Sequence, residues 1–153
     1  SAVEIVTAGT LAQNTTMRFD NATYVTLKSL TIRQTQDLFN NNAALALIGG
    51  HNLTLENCVI QGHFGTSRVA LTASTDSNFS GGETPVSMPD NDIKFNLIFS
   101  HNQVFSGDDD AVRLSGWRNV LFEDNVISTF SNSSHNGFYG IFLRDFVIRN
   151  NRI

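Results

Sequence analysis

The 153-residue chain has one cysteine, two prolines and two lysines, and only 16% of its residues are charged. A single thiol, Cys58, excludes an intrachain disulfide and any cysteine-rich metal site. Ten Lys and Arg against fourteen Asp and Glu give a net charge of −4. That leaves no basic stripe of the kind a nucleic-acid binder needs. No apolar run approaches the ~20 residues of a membrane-spanning helix. Disorder is excluded from the other side, because a chain that is 41% hydrophobic can bury a core. What remains is unusual: seventeen asparagines and eleven glycines. Asn and Gly tolerate left-handed backbone, so this composition predicts many short strands joined by tight turns.

A repeat underlies the composition. The segment Val25–Ile32 recurs as Leu53–Ile60, Leu97–Val104, Val120–Ile127 and Phe146–Ile153, each with apolar residues at its first, third and eighth positions. Successive copies start 28, 44, 23 and 26 residues apart. A shorter apolar pair precedes each copy: Met17/Phe19, Leu45/Leu47, Val69/Leu71, Val112/Leu114 and Ile141/Leu143. The 44-residue interval holds an inserted loop over residues 72–92.

Alternation of period two predicts strands with one buried face. A period near 25 with three short strands predicts rungs that stack in parallel, about 4.8 Å apart. The fold class expected is all-β, a right-handed parallel β-helix of about five rungs, with residues 1–153 as one domain. The sixth position of the long motif holds Leu30, Cys58, Asn102, Asn125 and Asn151. Asparagines stacked in one register can bond one another's amides, so a ladder is expected there, with Cys58 an inert buried thiol.

By its repeat the chain resembles the pectin-lyase-like right-handed β-helix superfamily. The resemblance implies a ligand groove over the first strand of each rung and a secreted or cell-surface polysaccharide-interacting protein. Parity places Arg18, Ala46, Ala70, Arg113 and Phe142 in the central outward column of that strand, with Arg68 and Arg144 in the flanking columns. Arg68, Arg113 and Arg144 on one surface would suit carboxylates of an acidic polysaccharide; they would equally serve as a solvated strand face.

Asp108, Asp109 and Asp110 lie just before the fourth first strand. Adjacent carboxylates can divide acid from base work, hold a Ca²⁺ through Asp108, or form an Asx-stabilised turn. This run resembles the polygalacturonase Asp-Asp pair at Asp109 and Asp110. The rest of that set is missing, because Gly65, Thr66 and Ser67 replace the Asn-Thr-Asp, and Phe138, Tyr139 and Gly140 replace the Gly-His-Gly. An inverting hydrolase needs both carboxylates. A lyase reading would use Arg113 or Tyr139 as base beside the Asp run. Candidate catalytic residues are therefore Asp109, Asp110 and Arg113. Candidate substrate contacts are Arg68, Arg144, Tyr139, His135 and Phe142. No cofactor is expected beyond the weak Ca²⁺ option. The partners expected are a polysaccharide and, because no capping element is visible, further rungs or subunits stacked end to end. The competing expectation is a non-catalytic structural β-helix, such as an adhesin, a tailspike or a filament subunit.

Overall fold

A computed structural model describes residues 3–6, 15–34, 43–62, 69–74, 94–106, 110–129 and 136–153. The alternating segments form three five-stranded sheets. Sheet I holds the first strands: β2 (Met17–Asp20), β5 (Ala43–Ile48), β8 (Val69–Ser74), β11 (Val112–Ser115) and β14 (Phe138–Ile141). Sheet II holds β3 (Thr23–Lys28), β6 (His51–Glu56), β9 (Lys94–Ser100), β12 (Trp117–Glu123) and β15 (Arg144–Arg149). Sheet III holds β1 (Val3–Val6), β4 (Leu30–Arg33), β7 (Val59–Gln61), β10 (Gln103–Ser106) and β13 (Val126–Thr129). Every pairing is parallel, and each strand pairs with its counterpart one rung away. The chain is thus a parallel β-solenoid. Four rungs carry all three strands; β1 belongs to a rung before them and β14 and β15 to one after. The expected five rungs resolve into these four and two partial ones.

The long motif keeps its register throughout. Val25, Leu53, Leu97, Val120 and Phe146 align, as do Leu27, Leu55, Phe99, Phe122 and Ile148. The Leu53–Leu97 alignment spans the 44-residue interval, so the longer connection leaves the stack unshifted. Inward columns of this kind put like on like. The Phe99 and Phe122 rings stack at 4.9 Å with 5° between planes, which is the rung spacing itself. Ile32, Ile60, Val104 and Ile127 close the core from sheet III, and all are buried. Burying each such side chain contributes about 1.5–3 kcal/mol.

Corners are where a solenoid is difficult, because the backbone must bend without losing its hydrogen bonds. Three columns of left-handed residues do the bending, two at corners and one inside the strands of sheet II. Asn21, Gly49, Gly116 and Phe142 turn sheet I into sheet II. Tyr24, Asn52, Asn96, Asn119 and Asp145 lie one residue before the motif's first position, and Ser29, Asn57, His101, Asp124 and Asn150 at its fifth. Among the described residues, half of the twelve non-glycine ones in this conformation are asparagine, the side chain best suited to it. A side chain at Gly50 would strike the Ala22 carbonyl oxygen, so this corner admits no Cβ.

The sixth-position ladder is present, buried at Asn102 and Asn125 and half-buried at Asn151. Oδ1 of Asn102 accepts from the Cys58 backbone N–H at 2.8 Å, Oδ1 of Asn125 from that of Asn102 at 2.8 Å, and Oδ1 of Asn151 from that of Asn125 at 3.0 Å. In return Nδ2 of Asn102 donates to the Leu55 carbonyl, that of Asn125 to Phe99 and that of Asn151 to Phe122, at 2.9–3.0 Å. Cys58 continues the column as a buried thiol, its Sγ 3.5 Å from the Leu27 carbonyl. Burial pushes that thiol above its ordinary pKa, so it is not a poised nucleophile.

Asn125→Ala strips partners from the Asn102 N–H and the Phe99 carbonyl, inside the core. It is expected to destabilise the chain by on the order of 3 kcal/mol in chemical denaturation, since each orphaned buried group costs about 1–3 kcal/mol. Asn119→Ala, on the exposed outer column, strands no buried group and is expected to cost only about 1 kcal/mol, from alanine in left-handed backbone. Equal losses at the two sites would contradict this assignment.

Candidate functional site

Of the expected site residues, Asp110, Arg113 and Tyr139 come together. Asp110 sits just before β11 and is 5% exposed. Its Oδ2 accepts from Arg113 Nε at 2.8 Å, and its Oδ1 accepts from the Asn136 backbone N–H at 2.7 Å and from Asn136 Nδ2 at 3.1 Å. The neighbouring backbone follows suit, with Ala111 and Val112 donating to the carbonyls of Asn136 and Gly137 at 3.1 Å. Asp110 therefore ties the fourth rung to the entry of the next, the task that the asparagines perform at the opposite corner. Asn136 is the residue that sequence reasoning missed, because nothing in its own neighbourhood marks it as a partner of an aspartate 26 positions earlier.

Electrostatics reinforce the geometry. Burial acts to raise the Asp110 pKa, but the hydrogen bond from Arg113, the Asn136 N–H, the Arg113 charge and the Asn136 amide outweigh it. The carboxyl is held below its ordinary range and stays ionised at neutral pH. A general acid needs the opposite shift. Arg113 is likewise engaged, its side chain only 16% exposed.

The remaining candidates disperse. Tyr139 lies on β14 opposite Arg113, where the count by apolar pairs places Phe142. Phe142 instead occupies the corner between β14 and β15, at φ 53°. Arg144 begins β15 in sheet II, opposite Arg118, and so does not share a strand face with Arg113. The third rung is also offset, with Thr72 rather than Ala70 aligned with Ala46 and Arg113. Strand β8 continues to Ser74, so residues 72–74 belong to sheet I and not to the inserted loop. Both offsets have one cause: Ala73 and Gly140 fill the register column of Phe19, Leu47 and Leu114, and small residues give no apolar signal. Arg68, Asp108, Asp109 and His135 lie outside the described residues, as do residues 75–93 of the inserted loop. Among the described residues no group of three or more His, Cys, Asp or Glu could hold a metal ion.

The expected groove over sheet I is not open along its length, since Ala44 and Ala46, the outward residues of β5, are buried. An open furrow lies instead on the outer face of sheet II, with a volume of about 370 Å³. One wall is the left-handed column Tyr24, Asn52 and Asn96, and the other is the strand column Thr26, Thr54 and Ile98. The first wall is itself an amide ladder: Asn96 Nδ2 donates to Asn52 Oδ1 at 2.6 Å and Asn119 Nδ2 to Asn96 Oδ1 at 3.1 Å. Tyr24 ends the row, with φ 57° and 83% of its surface exposed. A bulky residue in that conformation costs about 1–3 kcal/mol. So large an exposure leaves it little burial to offset the strain.

No protein-family model, curated protein or solved structure gives a significant match to the chain. Its reading therefore stands on the residues themselves.

For a carboxyl whose folded pKa is lowered, the stabilisation is complete above the unfolded value of about 3.9 and is lost as pH falls toward the folded one. Asp110→Asn is expected to be less stable than wild type at pH 7, with the gap narrowing below about pH 4. Unfolding free energies of both proteins across pH 2.5–7 (~ limits set by the carboxylate range) check this; a gap independent of pH would contradict it.

Proposed function

We propose that the chain is a secreted or cell-surface polysaccharide-interacting β-helix of the pectin-lyase-like kind, and that its described residues bind rather than cleave. The carrying observation is the unbroken parallel register. It presents chemically similar side chains in rows one rung apart, about 4.8 Å, close to the length of one sugar unit in an extended glycan. The three-sheet rung supports the kinship with pectin-lyase-like proteins. Cleavage finds less support, because Asp110 is ionised, buried and committed to joining two rungs. A hydrolytic or lytic role would have to rest on Asp109 with Arg113 or Tyr139, and Ca²⁺ on Asp108.

A second reading has its own observation. Phe146, Ile148 and Ile153 continue the inward columns, yet they are 52%, 41% and 68% exposed. A further rung or another subunit stacked on this face would cover them, as in a non-catalytic structural β-helix.

Affinity electrophoresis in gels containing neutral or uronate polysaccharides, run beside an assay for new reducing or unsaturated ends, separates these readings. Retarded migration without new ends is expected, unchanged by Asp109→Ala. Release of ends that Asp109→Ala abolishes would show an enzyme, and unretarded migration in every gel would leave the structural reading.

A further inference from the structure

We infer that the furrow on the outer face of sheet II is the glycan-contact site, and that its ligand is a linear, uncharged polysaccharide lying along the solenoid axis with Tyr24 as its stacking platform. The inference rests on the polysaccharide reading and gives it a place and a ligand class that the sequence did not suggest.

Three observations converge on it. The first is the anomaly at Tyr24. Four other rungs fill this left-handed column with Asn52, Asn96, Asn119 and Asp145, residues that accept the conformation easily. Tyr24 breaks the pattern with a ring that is 83% exposed. Strain retained without a packing gain marks a functional position. An exposed aromatic ring has one evident use beside a polar furrow, which is to stack against the C–H face of a sugar ring.

The second is the chemistry of the walls. Tyr24, Thr26, Asn52, Leu53, Thr54, Asn96 and Ile98 carry no charge among them. On β3 and β6 the nearest charges, Lys28 and Glu56, neutralise each other at 3.1 Å, and Lys94, which begins β9 two residues before Asn96, is not among the residues that line the furrow. Each amide has two N–H groups and two lone pairs on its oxygen, more than the axial ladder uses. Hydroxyl-rich, uncharged ligands match such walls; a uronate would find no cation among the described residues that line them.

The third is direction. The amide wall continues through Asn119 and the strand wall through Leu121 and Val147, each in register with its neighbours. Both walls therefore run parallel to the axis, and a chain of repeating units can follow them across several rungs. The outer face of sheet I lacks this continuity because Ala44 and Ala46 are covered.

The test uses hydroxyethylcellulose as the neutral probe and polygalacturonate as the acidic one, in affinity electrophoresis of wild type, Tyr24→Phe and Tyr24→Asn. Wild type and Tyr24→Phe are expected to be retarded alike by the neutral polymer. Tyr24→Asn is expected to lose about tenfold or more in affinity, as truncated anchor residues do, while its thermal midpoint equals or exceeds that of wild type. Stability and binding would then move in opposite directions, which a merely structural tyrosine cannot produce. In wild type alone, titration with cello-oligosaccharides should shift the amide resonances of Asn52 and Asn96 and leave Arg113 and Tyr139 in place. Unimpaired binding by Tyr24→Asn, or shifts centred on Arg113, would overturn the site while leaving the polysaccharide reading intact. Retardation by polygalacturonate alone would overturn the ligand class. No retardation by either polymer would overturn both the site and the reading beneath it.

Discussion

The solenoid depends on a column of asparagine side chains turned inward at the corner between sheets II and III. A parallel stack must bend its chain at every corner, and at this one the bend faces the hydrophobic core. Backbone groups released from the ladders there would be orphaned at a cost of about 1–3 kcal/mol each. Asn102, Asn125 and Asn151 prevent that by offering a carbonyl to the N–H one rung before and an N–H to a carbonyl of the sheet beside them. One side chain thus satisfies two backbone groups of the rung before its own, and it can do so only when the rungs are in register. The aromatic stack of Phe99 on Phe122 and the aliphatic columns around it follow from that constraint.

The same solution recurs with different chemistry elsewhere. At the corner between sheets III and I, Asp110 accepts the Asn136 N–H across a rung boundary and holds Arg113 with its other oxygen. On the outer surface, Asn52, Asn96 and Asn119 repeat the amide ladder in solvent, where each bond is worth less because water competes for it. The inner ladders therefore carry stability, and the outer columns are freer to vary. Tyr24 departs from its column on this permissive outer side, which is where a binding residue is tolerated.

Much of this was legible in the repeat. Positions one, three, six and eight of the long motif could be read directly, because large apolar residues and Asn recur there and the connection from sheet II to sheet III never changes length. The first strands were harder. Ala73 and Gly140 hide two inward positions, so the apolar pairs drift by two residues in the third rung and by three in the fifth, carrying Ala70, Phe142 and Arg144 into columns that they do not occupy. The candidate site suffered most, because a run of aspartates looks alike whether it performs chemistry or holds two rungs together. Only the position of Asn136, distant in sequence, separates the two for Asp110. The left-handed column at Tyr24 carries no apolar signal, and finding it required the backbone angle.

Native-state hydrogen exchange tests the central claim most directly. If side-chain carbonyls of the buried asparagines close the corner, the backbone amides of Cys58, Asn102 and Asn125 should exchange only through global unfolding, as slowly as those of Phe99 and Phe122 in the middle of sheet II. Exchange of these three amides at the rate of freely solvated amides would contradict the account, because the column would then be decoration on a stack held together by its sheets alone.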